Sequence, residues 1–162
     1  MTPSCKSPNT IRTSLRLCLS DFLIQVPRLL QQSSKSNRLS EMASKWDKEL
    51  AKEICAWIKE ATGATVPSED PTEFAEALND GQILCNLANM IQPGSIKKIN
   101  KMNMPFMKME NIGWFSNFVT AYGVQKEYGF VTVDLYEKQN VPQVLIALKW
   151  LKIKMEQKGV RF

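Results

Sequence analysis

A chain of 162 residues with 44% hydrophobic content is long enough for one packed domain, and it contains no histidine. That absence removes the commonest general base, the usual triad partner and the commonest neutral metal ligand, so most hydrolase and zinc-enzyme readings fail. The net charge of +5 is uneven: residues 1–41 hold six Lys or Arg against two acids, and residues 42–162 hold fifteen against fourteen. The second part is therefore nearly neutral, which argues against double-stranded nucleic acid as its partner.

Cys5, Cys18, Cys55 and Cys85 form no Cys-x-x-Cys pair. They read as reduced thiols in an intracellular protein rather than as a disulfide framework or a zinc site. A composition boundary falls near Met42. Residues 1–41 are rich in Ser, Arg and Gln and are broken by Pro3, Pro8 and Pro27. Two readings compete for them. Residues 11–26 could form a basic amphipathic helix with Leu15, Leu19, Phe22 and Val26 on one side, like a mitochondrial transit peptide. The favoured reading is a disordered or non-native extension, because Met42 supplies a natural initiator for the domain at 42–162. Asp21 interrupts any secretory signal, and no run approaches the roughly 20 apolar residues that span a bilayer.

The patterned part begins with a predicted helix over residues 46–61, with Leu50, Ile54, Trp57, Ile58 and Ala61 inward and Gly63 closing it. Asp70-Pro71-Thr72-Glu73 is a start signal, with a capping carboxylate, a proline at the first helical position and a Glu three residues on. It opens a second predicted helix over residues 74–91. Phe74, Leu78, Leu84, Leu87, Ala88 and Ile91 share one face of it, and Gly81 falls on that face. A glycine inside a helix costs about 1 kcal/mol against alanine, so another helix is expected to approach the bare backbone there.

Residues 95–105 carry Lys97, Lys98 and Lys101 with little helical pattern and read as an ordered loop. A third helix is predicted over residues 108–122 on Ile112, Phe115, Val119 and Tyr122, with Gly123 at its end. Residues 131–135 alternate like a strand but have no partner run, so a short helical turn near residues 134–138 is expected instead. Asn140-Val141-Pro142-Gln143 resembles another capping box. The helix that follows has two apolar stripes, one of Val144, Leu148, Leu151 and Met155 and one of Ile146, Trp150 and Ile153, with Lys149, Lys152 and Glu156 on a polar strip. A helix apolar on two sides is sandwiched between others.

Chemistry-bearing motifs are sparse. Asp80-Gly81 lacks the alternating oxygen ligands of a calcium loop. Glu69, Asp70 and Glu73 are better explained by capping than by acid–base work. Neither a Gly-x-Gly-x-x-Gly nor a Gly-Lys-Ser/Thr sequence occurs, so no cofactor is expected. Trp57, Trp114, Phe115, Phe118 and Trp150 read as core. The methionines at 102, 104, 107 and 109 hint at an adaptable apolar surface, with loop anchoring as their plainer role.

Trp57-Ile58, the run at residues 78–85, the run at 92–100, Met109-Glu110-Asn111-Ile112, Tyr122-Gly123-Val124, Asp134-Leu135-Tyr136-Glu137 and the helix from Gln143 occur in an order that is diagnostic together. In these pieces, over residues 46 to about 157, the chain resembles a calponin-homology domain of the single-domain kind found in calponin, transgelin and the muscle protein myophilin. The resemblance implies an all-α fold of four main helices plus short helical turns. The helices at 74–91, 108–122 and 141–157 would pack as a core with 46–61 laid against them. It further implies a cytoplasmic, cytoskeleton-associated binding protein rather than an enzyme.

Actin filaments present acidic surfaces, and lysine clusters steer and position such encounters. The candidate partner-binding residues are Lys97, Lys98 and Lys101 in the loop and Lys149 and Lys152 on the last helix, with Lys154 and Lys158 carrying the same ambiguity. Calponin-like proteins carry a Gly-Leu-Gln-containing repeat after this domain, and firm actin binders pair two such domains. Neither follows before Phe162, so weak filament binding is expected. The alternative is a signalling or scaffold adaptor that binds a non-actin protein.

Overall fold

The computed structural model describes Glu41 and residues 43–162; the readings of the segment before Glu41 lie outside the described residues. Trp46 precedes the helix predicted over residues 46–61 rather than starting it. Asp47 accepts a hydrogen bond from the Leu50 amide at 3.0 Å and opens α1 (Lys48–Thr62), which ends at Gly63 with φ 74°. Trp46 is nonetheless core. Its indole donates to the Ser68 carbonyl at 3.1 Å and its ring meets Phe74 edge-on at 5.2 Å.

The predicted helix at 74–91 is two helices. Asp70 caps α2 (Pro71–Leu78) by accepting from the Thr72 amide at 2.6 Å, and α3 (Gln82–Ile91) begins after Gly81. The break is local turn chemistry: Gly81 sits at φ 69°, and Asp80 accepts from the Gln82 amide at 2.9 Å and from the Gln82 side chain at 3.0 Å. The expected close approach is real, with α4 (Pro105–Tyr122) as the partner. A Cβ on Gly81 would lie 2.6 Å from the Asn111 Cβ and 2.9 Å from the Ile112 nitrogen. Helix α4 starts three residues before the predicted position because Pro105 suits the first helical turn, and it ends as expected at Gly123, φ 109°.

A short 3-10 turn (Lys126–Tyr128) leads to α5 (Thr132–Tyr136), the helical turn predicted in place of a strand. No strand occurs among the described residues. The last helix, α6 (Val141–Gln157), packs against α1, α2, α4 and α5. Val144, Leu148, Leu151 and Met155 are buried, whereas Ile146, Trp150 and Ile153 are half-buried, and Trp150 stacks on Tyr128 at 4.4 Å. The capping box expected at Asn140 does not form. Gln143 reaches outward instead and donates to the carbonyls of Glu127 and Gly129 at 3.1 and 2.9 Å, tying α6 to the 3-10 turn. Helix α1 lies against α3 and α6, and α4 bridges α3, α5 and α6, which is the layout implied by the resemblance.

Gly81→Ala combines a left-handed backbone with a clash against backbone atoms of α4 and is expected to destabilise by about 2–5 kcal/mol. Urea denaturation should show this as a lower midpoint with an unchanged slope. Asp70 offers a pH test. The Thr72 amide holds its carboxyl below the ordinary value of 3.8. A carboxylate depressed by folding stabilises the fold above its unfolded pKa and loses that contribution as pH falls through the folded one. Asp70→Ala should therefore lower stability by about 0.5–1 kcal/mol at neutral pH, the low end of capping effects for so exposed a site. The gap to wild type should close in acid, in paired urea titrations.

Candidate partner-binding surface

Beyond α3 the chain turns at Pro93-Gly94, with Gly94 at φ 79°, and then runs without regular structure to Met104. Two asparagine side chains hold this stretch in place of a backbone ladder. Asn89 of α3 accepts from the Ile96 amide at 2.9 Å and donates to the Ile96 carbonyl at 3.0 Å. Asn111 of α4, itself 1% exposed, accepts from the Asn100 amide at 3.0 Å and donates to the carbonyls of Asn100 and Asp80, both at 2.9 Å. Asn100 in turn donates to a Glu110 carboxylate oxygen at 2.9 Å. With Ile96 and Asn100 drawn inward, Lys97 and Lys98 are left exposed on the outside of a fixed loop.

The two lysines edge a cleft of about 630 Å³ between the loop and the second half of α4. Ile96, Trp114, Phe118 and Tyr122 form its apolar wall, and no carboxylate lines it. Trp114 is half-buried there, so two of the aromatics read as core, Trp114 and Phe118, also face this cleft. Tyr122 brings in a further cation: the Lys158 ammonium donates to the Tyr122 carbonyl at 2.8 Å and lies 3.6 Å from the ring centroid. Burial raises the pKa of the Tyr122 hydroxyl, which stays a neutral phenol.

The remaining candidates are spread out. Lys101 lines a second cleft, of about 560 Å³, with Lys108, Lys138, Glu76 and Asp80, where Lys138 pairs with Glu76 at 2.5 Å. Lys149 is exposed on α6. Lys152 forms an ion pair with Glu53 of α1 at 2.6 Å, so its charge is offset within the fold. Among the described residues Lys97, Lys98, Lys101 and Lys149 have no ion-pair partner. The structure thus joins Lys97 and Lys98, separates them from Lys101, and adds an aromatic wall that lysine spacing alone did not reveal. The Phe118–Tyr122 spacing on α4 was the available signal for that wall.

The thiols among the described residues add no chemistry. Cys55 and Cys85 are buried and free, and burial pushes their pKa values up to about 11 and about 12. Such thiols are poor nucleophiles at neutral pH.

The calponin homology (CH) domain model matches residues 48–156, which spans helices α1 to α6 except for Gln157. The chain belongs to the calponin-homology domain family. This is a family of binding modules, and the domain is not an enzyme. It is 34% identical to calponin-2 of Mus musculus over 122 residues, 75% of this chain and 39% of that protein. Calponin-2 of Bos taurus gives 34% over 122 residues, 75% of this chain and 38% of that protein. The chain thus spans about two fifths of the length of these relatives. Among solved structures, the calponin-homology domain of Rng2 from Schizosaccharomyces pombe is 27% identical, with a TM-score of 0.60 over 68% of this chain and 69% of that one. The calponin-homology domain of an IQGAP protein from the same organism is 27% identical, with a TM-score of 0.61 over 73% and 74%.

Removing the Asn89 amide leaves the Ile96 N–H without its acceptor. Asn89→Ala should cost about 1–3 kcal/mol of local stability. Hydrogen exchange should show Ile96 losing protection by at least about tenfold while the α6 amides lose less.

Proposed function

We propose that this domain is a cytoskeletal module that binds actin filaments weakly in the cytoplasm, docking through the cleft edged by Lys97 and Lys98. The observation that carries this reading is the pair of unpaired lysines, held on an asparagine-pinned loop beside an apolar wall that no carboxylate interrupts. Exposed lysines at a rim speed encounter with an acidic surface and make binding salt-sensitive, while the Trp114 and Phe118 wall offers apolar contact area once docked. Lys101 at the second cleft and the exposed Lys149 of α6 add steering charge. The resemblance to calponin supports a filament as the partner. So small a charged edge supports weak binding.

The test is co-sedimentation of the full chain with actin filaments across a salt series. Pelleting should fall steeply with salt. Lys97→Glu with Lys98→Glu should weaken it by at least about tenfold, the effect of losing two steering charges. Pelleting that ignores these substitutions would remove the site assignment. No pelleting at any salt would favour an adaptor that binds a different protein.

A further inference from the structure

The stretch Lys101-Met102-Asn103-Met104-Pro105-Phe106-Met107-Lys108 does something the filament reading leaves unexplained. Met102, Met104 and Phe106 are 61%, 51% and 68% exposed. Three large apolar side chains so exposed and so close in the chain form a patch of the kind that marks an interaction site. They are held out by the loop's own bonding. Asn100 donates to the Met107 carbonyl at 3.4 Å and to Glu110 at 2.9 Å, and Met107 and Met109 are half-buried. Met104 has extended backbone (φ −103°, ψ 137°), and Pro105 then sets the first turn of α4, so Phe106 stands at the helix entrance. Neither Met104 nor Phe106 lines either of the two clefts described above.

Basic charge is concentrated along this part of the chain. Lys97, Lys98, Lys101 and Lys108 fall in residues 97–109 without one acidic residue, whereas the rest of residues 42–162 holds eleven Lys or Arg against fourteen acids. Of the carboxylates that come near, Glu76 is offset by Lys138, whereas Asp80 and Glu110 keep their charge while accepting hydrogen bonds from Gln82 and Asn100.

We propose that this loop docks peripherally on an anionic lipid bilayer, with Met102, Met104 and Phe106 entering the boundary between headgroups and acyl chains and the lysines meeting anionic headgroups. Stable attachment to a bilayer needs two signals, and insertion of apolar side chains together with a polybasic patch supplies both. A bilayer fits better than a folded protein. Met104 and Phe106 stand outside both clefts, Met102 edges the second, and the lysines flank them in the chain on both sides, Lys97 and Lys98 at one cleft and Lys101 and Lys108 at the other, a spread that suits a uniformly charged surface rather than one point partner. The contact is peripheral, since no helix among the described residues is long and apolar enough to cross a membrane.

The full chain would be sedimented with vesicles of phosphatidylcholine mixed with phosphatidylserine, and with phosphatidylcholine alone. Binding is expected to the mixed vesicles and not to the neutral ones. Met104→Ser with Phe106→Ser, and separately Lys98→Gln with Lys101→Gln, should each weaken it by at least about tenfold. Because these side chains are exposed, their melting temperatures should match wild type. Phe106→Trp adds a reporter whose emission should shift to the blue on mixed vesicles only. Failure to bind mixed vesicles overturns the proposal and leaves the patch to a protein partner. Binding unaltered in both double variants overturns it as well, because attachment would then arise elsewhere in the chain. Binding without the Phe106→Trp shift overturns insertion.

Discussion

The arrangement depends on one close contact, the bare backbone of Gly81 against Asn111 at the middle of α4. With no Cβ at 81, α4 comes near enough for the Asn111 amide to reach the Asp80 carbonyl on one side and Asn100 on the other. The same glycine, in its left-handed conformation, separates α2 from α3 and so allows α2 to lean on α6 while α3 lies against α1 and α4. The end of the lysine loop, the break between the two helices and the seat of α4 are therefore consequences of one packing event.

Much of this was readable in the residue pattern, because helix signals act over a turn or two. Asp70 before Pro71, Gly63 after α1 and Gly123 after α4 are local devices, and each sits where its chemistry suggested. Misreadings came where two local rules competed. Across residues 74–91 the spacing of apolar residues favoured one helix, but Asp80-Gly81 is also turn chemistry, and tertiary contact with α4 decided for the turn. At Asn140 the capping-box pattern lost to a better use of Gln143, whose amide meets two carbonyls of the 3-10 turn.

The candidate surface was less readable, since it is assembled from distant parts of the chain. Lys152 looked free on its helix but meets Glu53, ninety-nine residues earlier. Lys97 and Lys101 looked like one cluster, yet Asn100 turns inward between them to meet Asn111, and they edge different clefts. Lys158 reaches Tyr122 only through the packing of α6 beside α4. Membership of the calponin-homology family agrees with the helical frame.

The lysine loop is fastened at Ile96 and Asn100 by side-chain amides bonded to backbone, and those amides neither ionise nor carry net charge. Ionic strength and pH act mainly on charged groups. The scaffold and its cargo of charge therefore answer to different variables. Salt can mute the lysines while the loop keeps its shape, so a salt titration of this domain reports on the contact rather than on the unravelling of the surface that makes it.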